Sequence, residues 1–287
     1  PADVMQDVGL SFRNRRNKMQ DAFRGRVMFP IFSESGEALA FGGRILPGSD
    51  DPAKYKNSAE TPIYMKSKTL YGLNWAKADI AKKDQVVVCE GYTDVIGFHR
   101  AGVPRAVATC GTALTEEHVR LLKRYASKVV LSFDADAAGQ GAAERFYEWE
   151  EKHKVEVLVA RLPDGKDPGD LASSQPEALL AAVDKPVPFL KFRLDRTMRG
   201  RPKDSPEHRV RLAEDAMAVV NEHPNKSIRM LYAGEVAAEL SMPVSDMVRL
   251  AERGTRRPAI QVQQKRSRGP LQNAEFAALV LLVQDWD

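Results

Sequence analysis

At 287 residues, 43% hydrophobic and 29% charged, the chain has the make-up of a soluble globular protein of about two domains. No apolar run approaches the roughly 20 residues needed to cross a bilayer and no secretory leader is evident, so a cytoplasmic location is expected. Two cysteines, Cys89 and Cys110, are too few for a four-cysteine zinc site and read as buried thiols in or beside apolar strands. The net charge of +4 is modest, but opposite charges are segregated along the chain.

The first region, 1–82, is basic: eleven Lys/Arg stand against six Asp/Glu between Ser11 and Lys68. Val27 to Phe32 and Leu39 to Leu46 read as two strands joined by the turn Ser33-Glu34-Ser35-Gly36. Gly42-Gly43 permits close backbone approach just before Arg44. Lys54-Tyr55-Lys56-Asn57 follows and, after a turn at Thr61-Pro62, Lys66 and Lys68. Cations interleaved with an aromatic ring suit a groove that tracks phosphates and stacks a base. Composition alone favours a solvated face.

Residues 83–172 alternate between the two periodicities. Strands are predicted over 86–89, 106–109, 129–133 and 155–160, with helices over 93–101, 115–125 and 137–152, which argues for a mostly parallel sheet flanked by helices. The first strand stops at Glu90, with Gly91 behind it and Asp94 in the first turn of the next helix. The third stops at Asp134-Ala135-Asp136. Acids at strand ends often only cap helices. Two carboxylates so close are nevertheless unfavourable without a cation, and few hard oxygens suit Mg²⁺ that keeps waters and substrate phosphates. Thr115 is a helix N-cap with Glu116 and Glu117 in the favourable first turn. Asp164, Asp167 and Asp170 crowd the loop after the last strand.

Residues 173–255 read as entirely helical, with Ser205-Pro206-Glu207 as a cap signature. From Arg253 to Arg268 six basic residues and no acid describe a linker, and 256–287 reads as that linker plus the start of another module.

Strand-E-G-x-x-D followed by strand-D-x-D is the pattern of the TOPRIM domain. The runs FRGRVMFPIFSESGEALAFGGRIL, AKYKNSAETPIYMKSKTLYGL, VVVCEGYTDVIGFHRAGVPRAVATCGTALTEEHVRLL, LSFDADAAGQGAAERF and LPDGKDPGDLA together resemble the RNA polymerase domain of bacterial DNA primases of the DnaG type, over roughly 21–172. The resemblance implies a TOPRIM α/β core, a basic α+β subdomain before it and a helical subdomain after it. It also implies synthesis of short RNA primers on single-stranded DNA from ribonucleoside triphosphates. Glu90, Asp134 and Asp136 would hold two or more Mg²⁺ or Mn²⁺ ions, with Asp94 and Asp167 as further ligands. Arg44, Lys54, Tyr55, Asn57 and Lys66 would line a groove for template and nucleotide. A monomer is expected, with the replicative helicase and single-strand-binding protein as partners. The family's zinc-binding domain is expected outside this chain, so no zinc, and its helicase-binding module to begin only near the end.

Two other readings use the same acids. A TOPRIM nuclease or topoisomerase would need, for the latter, a nucleophilic tyrosine in a gate domain that is not placed here. A non-catalytic TOPRIM module would be expected to lose acids that this chain keeps. One departure from the family stands out: Asp167-Pro168-Gly169-Asp170 occurs where many members carry Asp-Pro-Asp. If a helix starts there, the one-residue shift turns Asp170 about 100° away; in an irregular loop Gly169 could let Asp170 swing back. Pro168 biases Asp167 toward an extended conformation, which makes Asp167 the better-placed acid.

Overall fold

The computed structural model describes residues 2–49, 51–132, 140–163 and 166–253. Asp134, Asp136, Asp164 and residues 256–287 lie outside the described residues.

The basic region opens with α1 (Ala2–Asp7) and a hairpin of β1 (Ser11–Arg13) and β2 (Met19–Asp21). A three-stranded antiparallel sheet of β3 (Arg26–Phe32), β4 (Ala38–Ile45) and β5 (Tyr55–Asn57) follows, in that spatial order. The expected turn closes β3 onto β4, with Gly36 at φ +96°. Its tip is anchored on the next domain. The Glu34 carboxylate accepts from the Tyr125 hydroxyl and from Arg124 at 3.0 Å, and Lys77 Nζ donates to the Glu34 carbonyl at 2.7 Å.

The parallel-sheet domain then runs α2 (Leu73–Lys83), β6 (Gln85–Cys89), α3 (Tyr92–Arg100), β7 (Ala106–Ala108), α4 (Glu116–Leu122), β8 (Lys128–Leu131), α5 (Gln140–His153), β9 (Glu156–Val159), α6 (Pro168–Ser174), α7 (Pro176–Asp184) and β10 (Val187–Pro188). The sheet order is β10-β9-β8-β6-β7, parallel except for β10. Val86, Val88, Val129 and Leu131 enter one apolar cluster with Leu122, Phe146 and Trp149. Val87, Cys89 and Val130 enter the other, with Phe98, Leu171 and Leu179. Alternate residues thus fill the two faces of a sheet covered on both sides, which is why its strands are continuously apolar. From β6 the chain moves to one side for β7, then crosses back to the other for β8. That reversal opens a crevice between the carboxyl ends of β6 and β8, where open α/β sheets bind ligands.

The expectation that 173–255 is wholly helical is corrected at its start. α7 buries Leu179 and Val183 in the sheet domain's core, and Val187–Pro188 pair antiparallel with β9 as a fifth strand. A two-residue strand has no period to read in the sequence. The helical subdomain proper is α8 (Phe189–Met198), α9 (Pro206–Asn221), α10 (Lys226–Leu240) and α11 (Val244–Arg253), around a core of its own that includes Leu194, Leu212, Met217, Val236 and Met247. The Ser205 cap forms as expected, its hydroxyl accepting from the His208 N–H at 3.1 Å with Pro206 next in line. Tyr147 of α5 joins this bundle to the sheet domain: its hydroxyl accepts from Arg193 Nη1 at 3.5 Å, and its ring lies against His223 with 4.8 Å between centroids, while an Arg193–Glu222 ion pair ties α8 to the end of α9.

Candidate nucleotide-transfer site

Glu90 follows β6 directly and is exposed at the crevice. Gly91 is the N-cap of α3, and its N–H donates to the Asp94 carboxylate at 3.0 Å, half of a capping box. The helix then lies hard against the start of α6. A Cβ on Gly97 would sit 2.8 Å from the Pro168 carbonyl oxygen, so only glycine allows this approach. Asp167 is the N-cap of α6 and accepts from the Asp170 N–H at 2.7 Å. The packing brings Asp167 within electrostatic reach of Asp94. Burial, and after it the charges of Asp167 and Glu90, push the Asp94 carboxyl up to about 6, against the pull of the Gly91 N–H.

Among the described residues, none of these three acids has a basic partner within ion-pair distance. Nor does any group of three His, Cys, Asp or Glu there close on itself as a metal cage. What exists is mutual repulsion among hard oxygen donors at a ligand crevice, an arrangement that fits a divalent cation retaining waters and substrate oxygens. Across the crevice, the Ser132 N–H donates to the Val88 carbonyl at 2.8 Å and holds the end of β8 beside that of β6. Asp134 and Asp136 come two and four residues later, outside the described residues.

Pro168 begins a helix, so Asp170 is displaced around the helix axis from the position an Asp-Pro-Asp sequence would give. It is exposed and contributes its N–H to Asp167.

The basic residues divide between two roles. Arg44 and Tyr55 are directly opposite on β4 and β5, with the guanidinium carbon 5.7 Å from the ring centroid, a cation–π pair with both members exposed. Lys54 is exposed beside them. The Tyr55 ring lies 6.5 Å from that of Tyr92, so this surface adjoins the start of α3. Asn57 does not stand free. Its Nδ2 donates to the Cys110 carbonyl at 2.7 Å, and its Oδ1 accepts from the Tyr92 hydroxyl at 2.8 Å. It joins the basic sheet to the parallel-sheet domain. Lys66 starts a 3₁₀ turn, Lys66–Lys68, gripped by α4: His118 Nε2 bonds the Lys66 carbonyl at 2.9 Å and Thr115 Oγ1 donates to the Ser67 carbonyl at 2.7 Å.

Two residues of this site escape a reading of the sequence. Tyr92 is 2% exposed, stacks on Phe29 at 4.8 Å and 5°, and meets Tyr71 edge-on at 4.8 Å. Burial raises its phenol so far that it remains a donor to Asn57. A Cβ on Gly42 would sit 2.2 Å from both Cζ and Oη of Tyr92, far inside contact distance. The other is His118, fully buried, with burial holding its imidazole below the usual range. The Thr115 N–H donates to its Nδ1 at 3.3 Å, which leaves the proton on Nε2 to reach Lys66. The only hints are an aromatic after E-G and a histidine three residues after a capping threonine.

Residues 1–77 match the family described as DNA primase catalytic core, N-terminal domain, and 87–172 the family described as Toprim-like. Residues 190–245, within the helical subdomain, match the DnaB-helicase binding domain of primase. The DNA primase of Streptomyces coelicolor is 38% identical over 281 residues, covering 93% of this chain and 44% of that protein. That of Escherichia coli K12 is 35% identical over 294 residues, covering 98% of this chain and 50% of that protein. The chain thus spans about half the length of the curated relatives it matches. The crystal structure of the RNA polymerase domain of Mycobacterium tuberculosis primase DnaG, in complex with a double-stranded DNA oligomer with a 6-nucleotide overhang, aligns with a TM-score of 0.73 at 34% identity over 85% of this chain and 78% of that one. A DnaG primase catalytic domain bound to single-stranded DNA aligns with a TM-score of 0.65, also at 34% identity, over 85% and 77%. At this identity and coverage of the primase RNA polymerase and catalytic domains, the chain belongs to the family of DnaG-type bacterial DNA primases.

Proposed function

We propose that this chain carries out DNA-templated RNA primer synthesis by nucleotidyl transfer. The observation that supports it most is the bridge from Tyr92 to Asn57, which sets the exposed Arg44–Tyr55 surface beside Glu90, Asp94 and Asp167, acids that have no basic partner within ion-pair distance among the described residues. Glu90, Asp134 and Asp136, with Asp94 and Asp167, would hold Mg²⁺ or Mn²⁺, which when bound supplies charge neutralisation at the attacking hydroxyl and the departing pyrophosphate. The protein's own groups do the rest. Arg44, Lys54 and Lys66 meet phosphates, the part of nucleic-acid affinity that positions without reading sequence. Tyr55 offers a ring face to a base. His118 and Thr115 fix the backbone of the Lys66 turn, so that lysine is presented from a rigid support. The Gly91 N–H holds the Asp94 carboxylate in one orientation.

The helical subdomain, with its match to the helicase-binding description, is the part that would engage a replicative helicase; single-strand-binding protein would be a further partner, as the family resemblance implies. Incubating the chain with single-stranded template, labelled ribonucleotides and Mg²⁺ or Mn²⁺ tests the activity. Extended products that vanish on Asp134→Asn or Asp136→Asn are expected. Strand cleavage in place of extension would mark a nuclease, and retention of the template without either would mark a binding module.

A further inference from the structure

The β1–β2 turn presents Arg13, Arg15, Arg16 and Lys18 within six residues, and all four side chains are exposed. Among the described residues none of them has an acidic partner within ion-pair distance, whereas Arg26 is matched by Asp51 at 2.5 Å and Arg124 by Glu34 at 3.0 Å. The turn that carries them is built rather than loose. Asn14 Oδ1 accepts from the N–H groups of Arg16 and Lys18 at 2.9 and 3.0 Å, and the Asn17 N–H donates to the Asn14 carbonyl at 2.8 Å. Asn17 sits at φ +56°, the left-handed conformation that asparagine tolerates better than most residues, and Arg13 Nη1 donates to its carbonyl at 3.3 Å. Four like charges held together on a short rigid turn repel one another, which a run of phosphates would relieve.

The position of the turn separates it from the groove. Successive residues of a strand face opposite ways. On β5, Tyr55 and Asn57 look toward Tyr92, so Lys56 looks away. Lys56 Nζ donates to the Ala22 carbonyl at 2.6 Å and lies 5.8 Å from the ring of Phe12, on β1. The hairpin therefore backs the reverse face of the basic sheet, and a strand lying on Tyr55 must pass around β5 to meet it.

We infer that the β1–β2 turn, through Arg13, Arg15, Arg16 and Lys18, is a second phosphodiester-binding surface that engages single-stranded DNA extending beyond the groove. This rests on the nucleic-acid reading above. The test compares the wild-type chain with the Arg15→Ala/Arg16→Ala/Lys18→Ala variant, by fluorescence anisotropy over a salt series, on oligodeoxynucleotides of about 5 and about 16 nucleotides, the span of known single-strand site sizes. The short strand should bind both proteins alike. The long strand should bind the variant more weakly, with a slope of log K against log salt shallower by up to about 2 for three lost contacts. The charge-keeping variant Arg15→Lys/Arg16→Lys should retain the wild-type slope. An unchanged slope on the long strand overturns the inference, as does equal weakening on both lengths, which would place the turn in the groove itself. Failure of the wild-type chain to bind either length would instead overturn the nucleic-acid reading.

Discussion

Gly42→Ala isolates the joint between the basic sheet and the parallel-sheet domain with one methyl group. Gly42 has no positive φ, so the change introduces no backbone strain. In an open strand the substitution would even help by about 0.5 kcal/mol or slightly more, since glycine is a poor strand residue. Here the new Cβ overlaps the phenol end of Tyr92, 2.2 Å from its Cζ and Oη, and that ring is locked by Phe29 on one face and Tyr71 at its side. Overpacking of this kind costs about 1–3 kcal/mol. If the ring moves, its hydroxyl leaves Asn57, at about another 1 kcal/mol. The expected destabilisation is therefore about 2–4 kcal/mol, measured as a lowered urea midpoint at unchanged m. Repeating the substitution on a Tyr92→Leu background removes the ring atoms that the Cβ meets. There Gly42→Ala should become neutral or mildly stabilising, a change of sign that a double-mutant cycle reads as strong coupling. A Gly42→Ala protein within about 0.5 kcal/mol of wild type, or the same loss on both backgrounds, would refute the steric argument.

Asp167→Asn keeps a good N-cap residue, so the fold should survive while incorporation of ribonucleotides drops by about tenfold or more, at least 1.4 kcal/mol of barrier. Asp170→Asn should stay near wild type, and parity of the two across a Mn²⁺ titration would show the displaced acid at work. Replacing Lys54 and Lys66 together by Ala should lower the salt slope of single-strand binding by about 1.4, as an oligonucleotide titration would reveal. Burial lifts Glu150 from 4.5 to about 7, helped by Glu156 and opposed by the Val157 N–H, which donates to it at 2.9 Å. The folded chain then holds a proton that the unfolded chain has lost between those values, so this contribution to stability is complete below about 4.5 and disappears as pH rises through about 7. Glu150→Gln keeps the Val157 bond and should be more stable than wild type at pH 8, by up to about 3 kcal/mol, and not at pH 4. Parallel urea curves at both pH values would refute it.

The strands of the parallel sheet were legible because both of its faces are covered: Val86–Cys89 and Val129–Leu131 are buried throughout, and continuous apolar runs say so without tertiary information. Thr115 and Ser205 announced their helices because capping is a local interaction. Glu90, Asp94 and Asp167 could be nominated by position, at a strand end or helix start, yet the approach of Asp167 to Asp94 depends on Gly97 letting two helices touch. Asn57 illustrates the limit. Its neighbours Lys54 and Tyr55 share its strand and its basic run, but both atoms of its amide are taken by residues 35 and 53 positions away. Nothing within a window around Asn57 encodes those partners. Tyr92 and His118 were hidden for the same reason, and β10 because two residues are too few to show a period.

That last strand bears on how the chain reaches its fold during synthesis. A parallel sheet whose final strand is β9 leaves a row of unpaired backbone donors and acceptors along that strand, a template for another chain. β10 covers it, and Pro188, with no N–H to offer, limits what can be added beyond. Residues 187–188 emerge from the ribosome only after α6 and α7 have passed. Through that interval the nascent domain is sticky, and aggregation during expression is the expected symptom of any change that delays or weakens the pairing of Val187 with Val159.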